Sequence, residues 1–144
     1  MYFVDRDQIE RTLLYVDGLL QELFEHSYDS FLEKLSLERM IHMTIEAMLD
    51  VGNMMIDGFI MRDPGSFHDI IDILVDEKVL LEDDSEAYKE IVDLRIPLVK
   101  EYLTINHEHL LDVMKKHREV MEQFSGRIRT YLDGELGVAN AFSK

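Results

Sequence analysis

The sequence contains no cysteine and no tryptophan, and only two prolines and seven glycines occur among its 144 residues. Without cysteine the chain can form neither disulfides nor thiolate nucleophiles, and it cannot bind zinc through sulfur. Few prolines and glycines, together with 47% hydrophobic residues, indicate a folded chain and not a disordered one. A chain of this length has room for one domain with a single core, so we predict one domain over residues 1–144.

The sequence is also poor in basic residues and in long apolar runs. It has 15 basic against 30 acidic residues, and its net charge is −15. Such an excess repels a phosphate backbone and disfavours sequence-independent binding of nucleic acid, although a small basic pocket remains compatible with it. No apolar run approaches the roughly 18 residues of a membrane span. Asp5, Arg6 and Asp7 stand where a signal peptide needs apolar residues, so we expect a cytoplasmic protein without a membrane segment.

Apolar residues at helical spacing predict an all-α, up-and-down bundle of four main helices and one short helix. Two of the main helices are predicted over residues 4–25 and about 36–61, and the short helix over residues 67–76. A third main helix follows the acidic run 82–86. Asn106 is expected to cap the last helix, which Gly134 and Gly137 end, and residues 136–144 to form a loose tail.

The second predicted helix is apolar over most of its circumference, which is typical of a helix that is central or lies against a second subunit. Its polar residues fall in a wedge of roughly 120°. The general exposure of charged residues favours a solvated strip. The alternative is an internal seam that supplies a carboxylate to another helix. The wedge consists of Glu38, Arg39, His42, Glu46, Asp50, Asn53 and Asp57.

Residues 94–103, with the sequence LRIPLVKEYL, place a cation on an apolar face. On a regular helix Arg95 and Tyr102 would lie within about 20° of each other, near the middle of this face. A buried guanidinium needs a partner, because an unpaired buried charge is strongly unfavourable. Either Arg95 pairs internally, or it serves a cleft or subunit interface. Pro97 is expected to kink the helix. The candidate internal partners are Glu46, Asp50 and Asp57.

The histidines do not form an evident metal site. His107 and His109 would point about 200° apart on a helix and could not share a metal ion. His42 and Glu46 form an i,i+4 pair that we interpret as a surface pair, and His117 is expected to be a hydrogen-bonded core residue. No phosphate loop, dinucleotide fingerprint or nucleophile elbow is present. We therefore expect neither a metal ion nor a cofactor.

Three segments together resemble the YutE-type branch of the HepT-like family, which belongs to the HEPN superfamily of helical bundles. The resemblance extends over nearly the whole chain and is carried by residues 52–58, 63–67 and 94–102. It implies a homodimer whose two motifs meet in one cleft. It further implies a metal-independent ribonuclease that acts as the toxin of a toxin–antitoxin pair. The implied antitoxin partner is a minimal nucleotidyltransferase.

The family motif reads Arg, usually Asn, about two further residues, and then Val-His-x-Tyr. Arg95, Val99 and Tyr102 match the Arg, Val and Tyr of this motif, whereas Ile96 and Lys100 replace the Asn and the His. The resemblance therefore implies that Arg95 stabilises the phosphate charge, that Lys100 occupies the position of proton transfer, and that the partner adenylylates Tyr102.

Three functions remain open from the sequence. A lysine is a poor proton shuttle at neutral pH, but it can hold a phosphate as a point charge. The chain is thus interpreted first as a toxin-related protein of the ribonuclease fold with weak or absent RNA cleavage. The second interpretation is a non-catalytic dimeric module that binds a nucleotidyltransferase-type partner. The third is a nucleotide sensor that uses the Arg95 pocket.

Overall fold

The computed structural model describes the backbone of residues 4–142 and the side chains of residues 4–135. Within this range the chain forms helices and turns and contains no strand, which confirms the predicted all-α fold. Short 3₁₀ turns at Glu82–Asp84 and Tyr102–Thr104 precede α4 and follow α5. The α-helices are α1 Arg6–Leu23, α2 Phe31–Gly58, α3 Phe67–Asp76, α4 Ser85–Asp93, α5 Arg95–Lys100, α6 His107–Lys116 and α7 Arg118–Phe142.

Side-chain caps determine where several helices begin. The central helix α2 starts directly after Ser30, earlier than the predicted start near residue 36, because Ser30 and Glu33 form a capping box. The Ser30 hydroxyl accepts a hydrogen bond from the Glu33 amide at 3.1 Å, and the Glu33 carboxylate accepts one from the Ser30 amide at 2.9 Å. Ser66 caps α3 and Asn106 caps α6, as predicted.

The core lies around α2, which packs against α1 on one side and against α3 on another. Gly52 brings α2 and α3 close together, since a Cβ atom there would lie 2.7 Å from Cγ2 of the buried Ile70. Elsewhere in the core, the buried Tyr88 donates a hydrogen bond to the Val120 carbonyl at 3.1 Å and packs edge-on against Phe124. The close contact at Gly52 sets the position of α3, which carries part of the candidate site.

Pro97 divides the helix that was predicted to continue through residues 94–103. Helix α4 ends at Asp93 and α5 begins at Arg95. Proline has no N–H to donate to the Asp93 carbonyl, and its ring crowds the preceding turn. The structure thus has a break between α4 and α5 where the sequence predicted a kink at Pro97. The expected common face of Arg95 and Tyr102 is wrong, because α5 ends at Lys100 and Tyr102 lies in the next 3₁₀ turn with its side chain 64% exposed.

The predicted last helix is also divided, with His117 between α6 and α7. Helix α7 continues through Gly134 and Gly137 to Phe142, so the prediction that these glycines end it is wrong. A helical glycine costs about 1 kcal/mol relative to alanine but does not prevent helical geometry. Residues 136–142 of the expected loose tail therefore belong to α7, and residues 143 and 144 lie outside the described backbone. No helix in the described range is both long and apolar enough to cross a membrane.

Candidate functional site

A surface cleft of about 340 Å³ lies between the start of α3 and the segment formed by α4 and α5. Phe67 and His68 line it from α3, Asp93 from α4, and Arg95 and Lys100 from α5. Two of the three candidate site residues predicted from the sequence therefore share one cleft. The third, Tyr102, lies beyond the end of α5.

Arg95 is held on two sides. Its Nε donates a hydrogen bond to Oε1 of Glu46 at 2.5 Å, and its Cζ lies 4.3 Å from the centroid of the Phe67 ring. Nε2 of His42 is 3.6 Å from the same Glu46 oxygen. The side chain of Arg95 is 24% exposed. The sequence analysis offered two alternatives for Arg95, an internal ion pair or a place in a cleft or interface. The structure combines the internal pair with the cleft, because Arg95 pairs with Glu46 through Nε and also lines the cleft.

The polar wedge of α2 has two kinds of members. Glu46 and Glu38 are half-buried and pair with side chains from other helices, Glu46 with Arg95 and Glu38 with His107 at 2.7 Å. Asp50 and Asp57 are exposed, as a solvated strip requires. Partial desolvation of the Asp50 carboxylate by its neighbours, and secondly the negative charge of Glu46, raise the pKa of Asp50 above its usual value. The wedge is therefore an internal seam at Glu38, His42 and Glu46 and a solvated strip at Asp50 and Asp57.

Lys100 is the second cation of the cleft. It is exposed in the last turn of α5, and within the described side chains it lies in no ion pair. Its ammonium is therefore available to an anion that enters beside Arg95. We call the exposed apolar side chains of Ile96, Val99 and Leu103 the apolar rim; Ile96 and Val99 belong to α5 and also line the cleft.

His68 and Asp93 form a pair inside the cleft that the sequence analysis missed. Nε2 of His68 lies 2.6 Å from Oδ1 of Asp93, and the two side chains are 44% and 51% exposed. The residues are 25 positions apart on different helices, so no spacing rule within one helix could connect them. Only their positions in the sequence could have pointed to the site: His68 directly follows the segment 63–67 that resembles the family, and Asp93 stands two residues before Arg95.

A second ion pair fixes the turn from which α3 starts. Arg62 donates two hydrogen bonds to the Asp69 carboxylate, at 2.7 and 2.8 Å, and the Gly65 amide donates a third at 2.9 Å. The hydrogen bonds from Arg62, and next that from Gly65, lower the pKa of Asp69 to about 2. These contacts hold the Asp-Pro-Gly turn and with it the position of Phe67 and His68.

Four of the other histidines, His26, His42, His107 and His117, each contact a single carboxylate. His117 is nearly buried and pairs with Glu90 at 3.1 Å, as expected for a hydrogen-bonded core residue. The hydrogen bond from His117 is the main cause that lowers the pKa of Glu90. Among the described residues, no group of three or more histidine and acidic side chains is arranged to hold a metal ion.

Comparison with known proteins gives consistent matches. The family described as Ribonuclease HepT-like matches residues 6–128. The chain is 47% identical over 144 residues, 99% of both chains, to the Bacillus subtilis protein named "Putative RNase YutE". The solved structure of B. subtilis YutE, described as a cytosolic protein of unknown function, has a TM-score of 0.92 at 46% identity and covers 95% of this chain and 96% of YutE.

A more distant likeness is to a tri-AMPylated HEPN toxin of Shewanella oneidensis, solved in complex with an MNT antitoxin. The TM-score is 0.77 at 21% identity, over 87% of this chain and 98% of the toxin. At this level of identity the likeness shows that the two chains share a fold.

Proposed function

Since this chain belongs to the HepT-like family of ribonucleases, we propose that it is a metal-independent endoribonuclease that binds RNA in the cleft lined by Arg95 and Lys100. The observation that carries the proposal is the arrangement of Arg95, which Glu46 and Phe67 hold in a fixed orientation at a cleft that contains a second cation. The name of the B. subtilis relative supports the same activity.

The cleft is suited to a phosphate group. Because Nε of Arg95 is bonded to Glu46, its two terminal nitrogens are the donors that a phosphate can use, and no described group accepts from them. A guanidinium with this fork geometry can bind two phosphate oxygens at once, and Lys100 adds a point charge. This local pair of cations makes phosphate binding compatible with a chain whose net charge is −15.

RNA cleavage also needs stabilisation of the negative charge that develops on the phosphate. In RNA the 2′-hydroxyl attacks the adjacent phosphorus, and the charge on the nonbridging oxygens rises in the transition state. Arg95 is oriented before the substrate arrives, so it can stabilise this charge without rearrangement. Arg95 is therefore assigned the electrostatic role and Lys100 the role of a phosphate-binding cation.

The proposed assembly is a cytoplasmic homodimer that a minimal nucleotidyltransferase regulates. The apolar rim formed by Ile96, Val99 and Leu103 supplies exposed apolar surface next to the cleft for contact with a second copy. Tyr102 is 64% exposed, so its hydroxyl is accessible for adenylylation. The AMPylated toxin and its MNT antitoxin from S. oneidensis support this type of partner.

A second candidate function is a non-catalytic dimeric module that binds a nucleotidyltransferase-type partner. It is favoured by Lys100 at the position of the motif histidine and by the exposed apolar rim beside it. Such a module would retain the partner surface and lack cleavage. The two candidates differ in one measurable property, which is cleavage that depends on Arg95.

The test is an RNA-cleavage assay in the presence of a chelator, with wild type, Arg95→Ala and Lys100→His. The matched control is Arg118→Ala, because Arg118 also donates from Nε to a carboxylate at 2.5 Å and lies 4.4 Å from the centroid of an aromatic ring, but outside this cleft. We expect cleavage by wild type and Arg118→Ala, and loss in Arg95→Ala. If the wild type does not cleave RNA but Lys100→His does, the cleft lacks a group for proton transfer. If none of the variants cleaves RNA, the interaction module is favoured.

A further inference from the structure

We propose that His68, oriented by Asp93, is the general base of the cleft and performs the proton transfer that Lys100 does not. This inference rests on the proposed ribonuclease function. The cleft holds two cations that suit a phosphate, but RNA cleavage also requires a group that accepts the 2′-hydroxyl proton. Histidine is the side chain best suited to this task near neutral pH. Among the residues that line the cleft, His68 is the one histidine.

The geometry of the pair leaves one ring nitrogen for the substrate. Nε2 of His68 lies 2.6 Å from Oδ1 of Asp93. A carboxylate is an acceptor, so the neutral imidazole carries its proton on Nε2 and presents an unprotonated Nδ1. No described group forms a hydrogen bond with Nδ1. An imidazole whose tautomer is set by a carboxylate and whose second nitrogen is vacant is the arrangement in which histidine acts as a base in hydrolytic triads.

The same two chain segments hold both His68 and Arg95. Phe67 packs against the guanidinium of Arg95, and the next residue, His68, bonds to Asp93, which stands two residues before Arg95. The start of α3 is in turn fixed by its Ser66 cap. Adjacent contacts therefore hold the base and Arg95 in a fixed relative position, and both side chains border the same cleft.

The proposed step conserves atoms and electrons. Nδ1 of His68 takes the proton of the 2′-hydroxyl, and the 2′-oxygen forms a bond to the adjacent phosphorus. The bond between phosphorus and the 5′-oxygen breaks, and the 5′-oxygen leaves with the bonding pair and takes a proton from water. The imidazolium returns its proton to the hydroxide that remains. The products are a 2′,3′-cyclic phosphate and a 5′-hydroxyl end.

The test compares His68→Ala with His26→Ala in the full-length protein. His26 is the matched control, because its Nε2 lies 2.7 Å from a carboxylate oxygen of Glu22 and its side chain is 50% exposed, but it lies outside this cleft. We expect His68→Ala to reduce cleavage about 100-fold or more. Added imidazole should restore part of the activity, because a small base can enter the space of the missing ring. His26→Ala should cleave like the wild type.

Two further measurements distinguish a loss of catalysis from a loss of folding: RNA binding by His68→Ala and the kinetics of an Asp93 variant. His68→Ala should bind an RNA with 2′-deoxyribose at the cleavage site as tightly as the wild type does. Asp93→Asn should lower kcat with little change in KM, because Asp93 orients the base and does not contact the substrate. If Arg95→Ala abolishes cleavage while His68→Ala retains it, the ribonuclease function stands and this inference is wrong. If neither the wild type nor Lys100→His cleaves RNA, the proposed ribonuclease function and the proposed role of His68 are both wrong.

Discussion

Arg95 of α5 and Glu46 of α2 are joined by a hydrogen bond of 2.5 Å across 49 sequence positions. Since Nε is the donor, this contact turns the guanidinium so that its terminal nitrogens remain for an anion. The pair links the central helix of the core to the cleft. The stability of the fold and the geometry of the candidate site consequently depend on the same contact.

Replacement of Glu46 by glutamine should destabilise the protein. Both partners are at most one-third exposed, and a hydrogen bond to a charged group contributes about 1.5–3 kcal/mol, so we expect a loss of about 1–2 kcal/mol. Urea denaturation of the wild type and Glu46→Gln measures it. The control is Glu122→Gln, which removes a carboxylate from an equally short but half-exposed pair with Arg118 and should change stability by about 0.5 kcal/mol or less. Equal effects of the two variants would contradict this prediction.

Replacement of Gly52 by alanine should destabilise the contact between α2 and α3. The new Cβ would lie 2.7 Å from Cγ2 of Ile70 and 3.3 Å from Cδ1 of Leu74, and both side chains are buried. Overpacking of this kind costs about 1–3 kcal/mol, against a gain in helix propensity of about 1 kcal/mol.

The matched control is Gly18→Ala on the exposed side of α1, where a Cβ meets no atom within 4 Å. Gly18→Ala should gain about 0.5–1 kcal/mol of stability, whereas Gly52→Ala should lose about 1 kcal/mol. Guanidinium denaturation of the two variants gives the comparison. A stabilised Gly52→Ala would show that α3 can move away without cost.

The Arg62–Asp69 pair should make stability depend on pH in the acidic range. The pKa of Asp69 is about 2 in the folded protein, below the ordinary value of about 3.9 expected for the unfolded chain. Its contribution is therefore present above about pH 4 and is lost as the pH falls from about 4 to 2. The difference in free energy of unfolding between wild type and Asp69→Asn should shrink over this interval.

Denaturation at a series of pH values measures that difference. Asp63→Asn serves as the control, since Asp63 is an exposed carboxylate near the same turn and lies in no ion pair within the described part. A difference between wild type and Asp69→Asn that stays constant down to pH 2 would exclude the proposed role of the pair.

Tyr102 should be the tyrosine that a nucleotidyltransferase antitoxin modifies. It is 64% exposed in the turn after α5, so an enzyme can reach its hydroxyl. Incubation with an MNT-type antitoxin and ATP should add AMP to the wild type but not to Tyr102→Phe, as mass spectrometry of the intact protein and its peptides would show. Tyr15→Phe, which alters another exposed tyrosine on α1, should be modified like the wild type. AMP on Tyr15, or none on Tyr102, would contradict the assignment.

The sequence predicted much of the fold because most of its signals act over a few residues. The caps at Ser66 and Asn106 were found, since each accepts a hydrogen bond from an amide three positions on. The interruption at Pro97 was also predicted, because proline acts on the turn directly before it. The start of α2 was missed because the capping box of Ser30 and Glu33 was not recognised. The passage of α7 through Gly134 was missed because glycine only weakens a helix.

The candidate site was predicted in part. Arg95 was identified from its place on an apolar face and from a family motif, and Lys100 as the residue at the position of the motif histidine. Glu46 was one of three candidate partners of Arg95. His68 was not identified, because its relation to Asp93 arises when α3 packs beside α4. Tyr102 was placed on the face of Arg95 by helical geometry, which does not apply after α5 ends at Lys100.

By itself the sequence determined the all-α class, the caps at Ser66 and Asn106 and the interruption at Pro97, because these depend on hydrogen bonds and steric contacts between residues close in the chain. Only the tertiary structure decided that Glu46 is the partner of Arg95 and that His68 and Asp93 meet in the same cleft. Those contacts join residues 49 and 25 positions apart, and they form only when burial of the apolar faces brings the helices together.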